Sequence, residues 1–125
     1  MNNIKEIEGG ITSPIGFQAS SIAAGIRHHG RADMAMIYSK EPCSAAGMFT
    51  KNIVKASPVL WDKALVDGRH PISAVVVNSG IANACTGELG FEICEKTAKC
   101  TADAIGAEPS NVAIASTGVI GKQLP

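Results

Sequence analysis

At 125 residues and 46% hydrophobic content, the chain has apolar material for one core and too little length for two, so residues 1–125 are expected to be a single domain or a piece of one. Eleven basic residues balance eleven acidic ones and aromatics make up only 4%, which leaves neither a field to hold a phosphate backbone nor a stacking platform for single strands. No nucleic-acid partner is expected.

No apolar run nears the roughly 20 residues of a membrane span. The opening MNNIKEIEGG lacks the basic and apolar regions of a signal peptide, so a cytoplasmic location without a membrane partner is expected. Cys43, Cys85, Cys94 and Cys100 have no CxxC spacing and no histidine at zinc-finger distance, so buried reduced thiols are expected rather than a metal site. Cys94 and Cys100 are six residues apart and do not share a helix face.

In chain order, turn residues Gly9-Gly10 and Ser13 to Gly16 precede a first strand over Phe17 to Ile26. The nearly continuous apolar run Ala32 to Ser39 fits a strand covered on both faces, ended by Glu41-Pro42. Cys43 to Thr50 is expected to form a third strand beside it. Ser57-Pro58 fits either an N-cap with proline at the first helical position or the middle of an edge strand. Extended structure to about Leu60, then a short helix ending near Gly68, is the reading adopted here. Trp61, the sole tryptophan, is assigned to a core or interface.

The last third carries the clearest pattern. Ile72 to Asn78, with three consecutive valines, reads as a buried strand, followed by the small-residue loop SGIANACTG. Glu88 to Ile105 then places Leu89, Ile93, Ala98, Thr101, Ala104 and Ile105 close to helical period, and Gly106 supplies a left-handed stop. Val112 to Ala115 is the next strand. Strand, loop, helix and strand make a βαβ unit, with a right-handed crossover expected if the strands are parallel. The residues alone therefore give an α/β fold with a mixed sheet.

Few residues offer chemistry. The loop from Asn78 to Gly87 joins a strand end to a helix start, a geometry that favours anions, yet it has no GxGxxG, GxxxxGK[ST] or lysine. Equally, Gly80 and the alanines let it pack tightly, with Asn78 and Asn83 bonded to its backbone. His28, His29 and His70 each sit near an arginine and pair with no nucleophile, so surface positions are expected. There is no HExxH, GxSxG or paired-carboxylate pattern. Ser116-Thr117-Gly118 is either an ordinary turn or a strand end whose Thr117 hydroxyl and Gly118 amide stabilise an oxyanion formed by a nucleophile from elsewhere.

Three phrases together resemble a known family: AAGMFTKNIVKASPV at 45–59, VVVNSGIANACTG at 75–87 and ASTGVIG at 115–121, with GITSPIGFQASSIAAGIR before them. The chain is similar, in order over nearly its whole length, to the bifunctional ornithine acetyltransferase, or glutamate N-acetyltransferase, of the cyclic arginine pathway. It departs at Ile81, where asparagine is expected in most members. The resemblance implies a layered α/β sandwich with a mixed sheet, reminiscent of N-terminal-nucleophile hydrolases and incomplete in this chain.

It further implies a precursor that cuts itself at an alanine-threonine bond, giving α and β chains in an α2β2 heterotetramer. The new N-terminal threonine of the β chain is then the nucleophile. This sequence has no Ala-Thr dipeptide and would be the leading part of the α chain, inactive alone. The family's oxyanion hole falls on Thr117 and Gly118. Acetyl passes from N-acetylornithine to glutamate by ping-pong chemistry, with no resident cofactor and with acetyl-CoA as a possible co-substrate. An N-terminal-nucleophile peptidase of related fold, and a non-catalytic module binding a small molecule or anion through the 78–87 loop, are the competing readings.

Overall fold

Alternation along the Val75–Val77 run sets the architecture, because successive side chains of a strand leave on opposite faces. The computed structural model describes residues 4–27 and 29–125. Its strands are β1 (Phe17–Ile22), β2 (Met34–Cys43), β3 (Ile72–Ile81) and β4 (Val112–Val119), and its helices are α1 (Ser57–Asp67) and α2 (Gly87–Ile105), with a single 3-10 turn at Pro109–Asn111. The strands form one mixed sheet in the order β1-β2-β3-β4. β1 to β2 and β2 to β3 are antiparallel, and β3 to β4 is parallel across α2, as the βαβ pattern anticipates.

One face packs on α2. Ala74, Val76, Val112 and Ile114 meet Cys94, Ala98 and Ala102 there, each at 4% exposure or less, with Met34, Met36, Trp61 and Ile105 alongside. The stripe α2 buries is Gly90, Cys94, Ala98 and Ala102, an i, i+4 row of small residues that lets helix and sheet approach closely. Leu89 and Ala104, expected inside, are exposed. Gly106 ends the helix in the left-handed conformation, φ 69°, as predicted.

The opposite face carries Phe17, Ala35, Ile37, Val75, Val77, Ala113, Ala115 and Thr117 by register. Among the described residues it is overhung at the amino end of β3, where residues 44–49 and α1 border a cavity of about 380 Å³ lined by Phe17, Ile37, Val75, Ala113, Asp62 and Leu65. The expectation that β2 and β3 are covered on both faces therefore holds for one face only among the described residues.

Several boundaries differ from expectation. Cys43 closes β2, which runs past the expected stop at Glu41-Pro42, and Ser44 to Thr50 forms no strand, since β2 already has β1 on one edge and β3 on the other, and Ala45, Ala46 and Gly47 have little β propensity. α1 starts at Ser57 rather than after Leu60: Pro58 lies in its first turn, where a preset φ and a missing amide suit a helix start. β1 ends at Ile22 because the next residues fold around the Asp33 carboxylate. β3 runs on to Ile81 and β4 to Val119, each extending the other's ladder.

α1 closes the outer edge of β4. Trp61 Nε1 donates to Val112 O at 2.8 Å, and Ile114 N donates to Asp62 Oδ1 at 2.9 Å, so two groups an edge strand leaves unpaired are satisfied. Trp61 also packs tilted on Phe91, ring centroids 5.9 Å apart, in the structural role expected of it. No helix among the described residues is long and apolar enough to cross a membrane.

Candidate functional site

The carboxyl end of a parallel strand pair is where open α/β sheets place ligands, and here that end carries Ser116-Thr117-Gly118. These residues are still within β4, in its carboxyl-terminal half rather than in a turn beyond it, opposite Asn78, Ser79 and Gly80. Ser116 turns toward α2. Its Oγ is buried without a partner among the described residues, at a cavity of about 220 Å³ shared with Asn78, Asn83, Cys94 and Thr97. Thr117, the next residue, is exposed on the uncovered face, and Gly118 is exposed beside it.

Alternation also places the Gly118 amide. Ile114 N leaves the outer edge of β4 toward Asp62, whereas Val119 O faces inward and accepts from Ala82 N at 2.9 Å. Even-numbered residues of β4 thus direct their backbone groups away from β3, which puts the Gly118 N–H on the free edge, next to the Thr117 hydroxyl. Gly118 has φ 135° and its register partner Gly80 has φ 114°. A Cβ at 118 would overlap the Gly80 carbonyl and lie 2.6 Å from Ile81 N, so only glycine fits.

The segment after β3 is a packing device. Asn78 Nδ2 donates to Ile81 O at 2.8 Å. Asn83, 1% exposed, donates through Nδ2 to Gly90 O at 2.8 Å and accepts from Thr86 Oγ1 at 2.8 Å. Both asparagines thus hold backbone, as anticipated. A side chain on Gly90 would collide with Thr86, Asn83 and Ser57.

Burial pushes the Cys94 thiol up to about 11, with the nearby Asp62 charge adding to the effect and the Asn83 hydrogen bond opposing it. Cys94 is therefore a thiol, not a nucleophile, at neutral pH. It faces the core while Cys100 faces solvent; Cys85 is also exposed and Cys43 half-buried, so the expectation of buried thiols holds fully only at Cys94. His29 and His70 are exposed, and His28 lies outside the described residues.

Two carboxylates escaped the sequence reading. Asp62, on the 380 Å³ cavity, is pushed up to about 6 by burial, against the pull of the Ile114 amide. Asp33 is buried, and burial alone would raise it, but the amides of Arg27, Ala24, Ile26 and Gly25 hold it below the usual carboxylate value. The signal for Asp33 was a short acid between Gly30 and the apolar start of β2, a common cap for a preceding loop.

Comparison with known proteins places this geometry. A sequence profile of the ArgJ family matches residues 18–125. The arginine biosynthesis bifunctional protein ArgJ of Gloeobacter violaceus is 46% identical over 125 residues, all of this chain and 31% of that protein. Its counterpart in Streptomyces avermitilis is 48% identical over 116 residues, 92% of this chain and 30% of that protein.

Two crystal structures superpose with a TM-score of 0.87. The arginine biosynthesis bifunctional protein argJ of Bacillus halodurans is 37% identical over 94% of this chain and 61% of its own. The ornithine acetyltransferase of Mycobacterium tuberculosis, complexed with ornithine, is 43% identical over 93% of this chain and 63% of its own. The chain thus spans about a third of the length of these curated relatives, and its four-stranded sheet corresponds to part of the solved fold.

Proposed function

Because this chain belongs to the ArgJ family, we propose that it supplies the oxyanion-stabilising half of an acetyltransferase centre that moves acetyl from N-acetylornithine to glutamate. In this reading the nucleophile is the N-terminal threonine of a β chain cut from the same precursor, and the two chains assemble as a cytoplasmic α2β2 heterotetramer. The 125 residues alone are inactive.

The threonine hydroxyl adds to the acetyl carbonyl and its proton passes to the threonine's own α-amine, so no histidine is needed. Charge gathers on the carbonyl oxygen, where the Thr117 hydroxyl and Gly118 amide donate to it. The bond from carbon to the ornithine nitrogen then breaks, that nitrogen takes the proton, and ornithine leaves an acetyl ester on the threonine. The glutamate amine attacks the ester, the oxyanion forms again at the same donors, and the threonine oxygen departs with a proton. Acetyl-CoA is a second donor that the same centre accommodates, its thiol leaving in place of ornithine.

What supports the reading is one observation: neighbouring exposed residues set the Thr117 side chain on the sheet face that the described residues leave uncovered and the Gly118 amide on the adjoining free edge of β4, without a partner among the described residues. Ornithine is named as the ligand of the Mycobacterium tuberculosis structure, which fits the product that leaves in the first half of the transfer proposed here.

Thr117→Ala in the full-length, self-cleaved protein is expected to lower acetyl transfer from N-acetylornithine to glutamate by about a hundredfold to a thousandfold. A near wild-type rate would remove Thr117 from the mechanism. Peptide hydrolysis without transfer to glutamate would point to a peptidase instead.

A further inference from the structure

The Thr117-Gly118 pair is backed by contacts that lead to a buried carboxylate. Asp33 is 6% exposed. Its Oδ1 accepts from Ala24 N at 2.7 Å, and its Oδ2 accepts from Ile26 N at 2.7 Å and Arg27 N at 3.1 Å. The Asp33 backbone is fixed from both sides: its N–H donates to Ile22 O at 3.1 Å, and Ser79 N donates to its carbonyl at 2.8 Å. One residue thus ties the 24–27 segment to the end of β3.

That segment bears on Gly80. A Cβ at position 80 would come within 2.6 Å of Arg27 Cβ and 3.3 Å of Ile26 Cγ2, so both side chains rest on the bare glycine. Gly80 pairs in turn with Gly118, with no side chain between the two backbones. The stack runs from carboxylate to loop, from loop to Gly80, and from Gly80 to Gly118.

We propose that Asp33 is a positioning residue: by clamping residues 24–27 against Gly80 it fixes where β4 delivers the Thr117 hydroxyl and the Gly118 amide. The inference rests on the oxyanion role proposed above for those two groups. An ionised carboxylate has two acceptor oxygens for three amides, whereas asparagine at the same place has one and turns an NH₂ group toward the others. The segment then lifts from Gly80, and donors that act only when correctly placed lose their effect. Substrate is bound without the oxyanion contact, so the loss falls on kcat and spares KM.

The test uses the full-length, self-cleaved enzyme. Asp33→Asn is expected to lower kcat by about tenfold with KM for N-acetylornithine within about twofold of wild type. Arg27→Gly, which removes the exposed side chain resting on Gly80 and leaves the carboxylate in place, is expected to lower kcat severalfold in the same way. Asp33→Asn combined with Thr117→Ala should lose less than the product of the two single losses, because the clamp acts in part through the hydroxyl that Thr117→Ala has already removed and in part through the Gly118 amide that remains.

Unchanged kcat in a folded Asp33→Asn and in Arg27→Gly would overturn the inference, and so would losses that multiply in full in the double variant. If Asp33→Asn does not fold, Arg27→Gly decides: a fall in kcat at constant KM supports the clamp, and wild-type kcat overturns it. A Thr117→Ala enzyme with wild-type rate would instead defeat the oxyanion reading itself, a result separable from failure of the clamp alone.

Discussion

The two faces of the sheet are made by the same strands and meet different surroundings. Toward α2, Ala74, Val76, Val112 and Ile114 are each at 4% exposure or less against a row of small helix residues. On the other side, Ala35, Ile37, Val75 and Val77 are half-buried, and Ala115 and Thr117 are exposed. A strand pair joined in parallel through a helix is normally covered on both faces, and apolar surface of this kind marks a contact region. Where β3 and β4 meet α2 the helix side is a closed core, with Met34 and Met36 of β2 half-buried at its margin. The other side joins an apolar floor to a hydroxyl and an amide, which is the form a site takes when a second polypeptide closes it.

The largest disruption of this contrast is Gly118→Ala. The added Cβ has no room beside Gly80, and φ 135° is closed to alanine at low energy. Strain and overlap together are expected to cost at least about 3 kcal/mol of stability. In the full-length enzyme, acetyl transfer should fall further than in Thr117→Ala, because both donors move. A melting curve and a transfer assay check this; wild-type values in both would mean that β3 and β4 separate there at little cost.

Next in size is the edge between the faces, where Asp62 caps β4. Its carboxyl holds its proton more tightly in the folded chain, near 6, than its ordinary value of 3.8. Its contribution to stability is therefore full below 3.8 and lost as pH rises through about 6, a difference of about 3 kcal/mol at most. Asp62→Asn keeps an acceptor for the Ile114 amide without a buried charge. It is expected to raise stability by about 1–3 kcal/mol at about pH 7.5 and to flatten the decline that wild type shows between about pH 4 and 6.5. Urea midpoints across that range and above it decide it, and a less stable variant at pH 7.5 would show that the charged hydrogen bond outweighs its burial.

The half of the chain that could be read in advance is the half whose contacts are local. β3, α2, Gly106 and β4 follow from a valine run, a helical period and a left-handed glycine, all within about fifty residues. Cys43 to Thr50 misled because occupancy of a strand edge is a property of the sheet, not of the segment. Ser57-Pro58 carried both answers locally, and only the docking of Ser57 N on Asn83 O and of Trp61 on β4 selects the helix. Thr117 and Gly118 were visible as a phrase, and the resemblance assigned their role. That they share the uncovered face and free edge needed the β3 to β4 register. Asp33 showed itself only as a short acid before an apolar run, and its partners Ala24, Ile26 and Arg27 were not legible, because they are ordinary loop residues whose amides, not side chains, make the bonds.

The smallest expected effect tests the two faces most directly. Val76→Ala removes a side chain at 4% exposure and should cost about 1.5–3 kcal/mol. Val77→Ala, one residue later in the same strand and with the same chemistry, removes a half-buried side chain from the uncovered face and should cost less than about 1 kcal/mol in the 125-residue chain. Backbone propensity changes equally in both, so the difference isolates the cover. In the full-length protein the proposed assembly closes over Val77, and its cost should rise toward that of Val76. Equal costs in the short chain would mean that the face near Thr117 is already shielded, leaving no opening for a nucleophile from another chain.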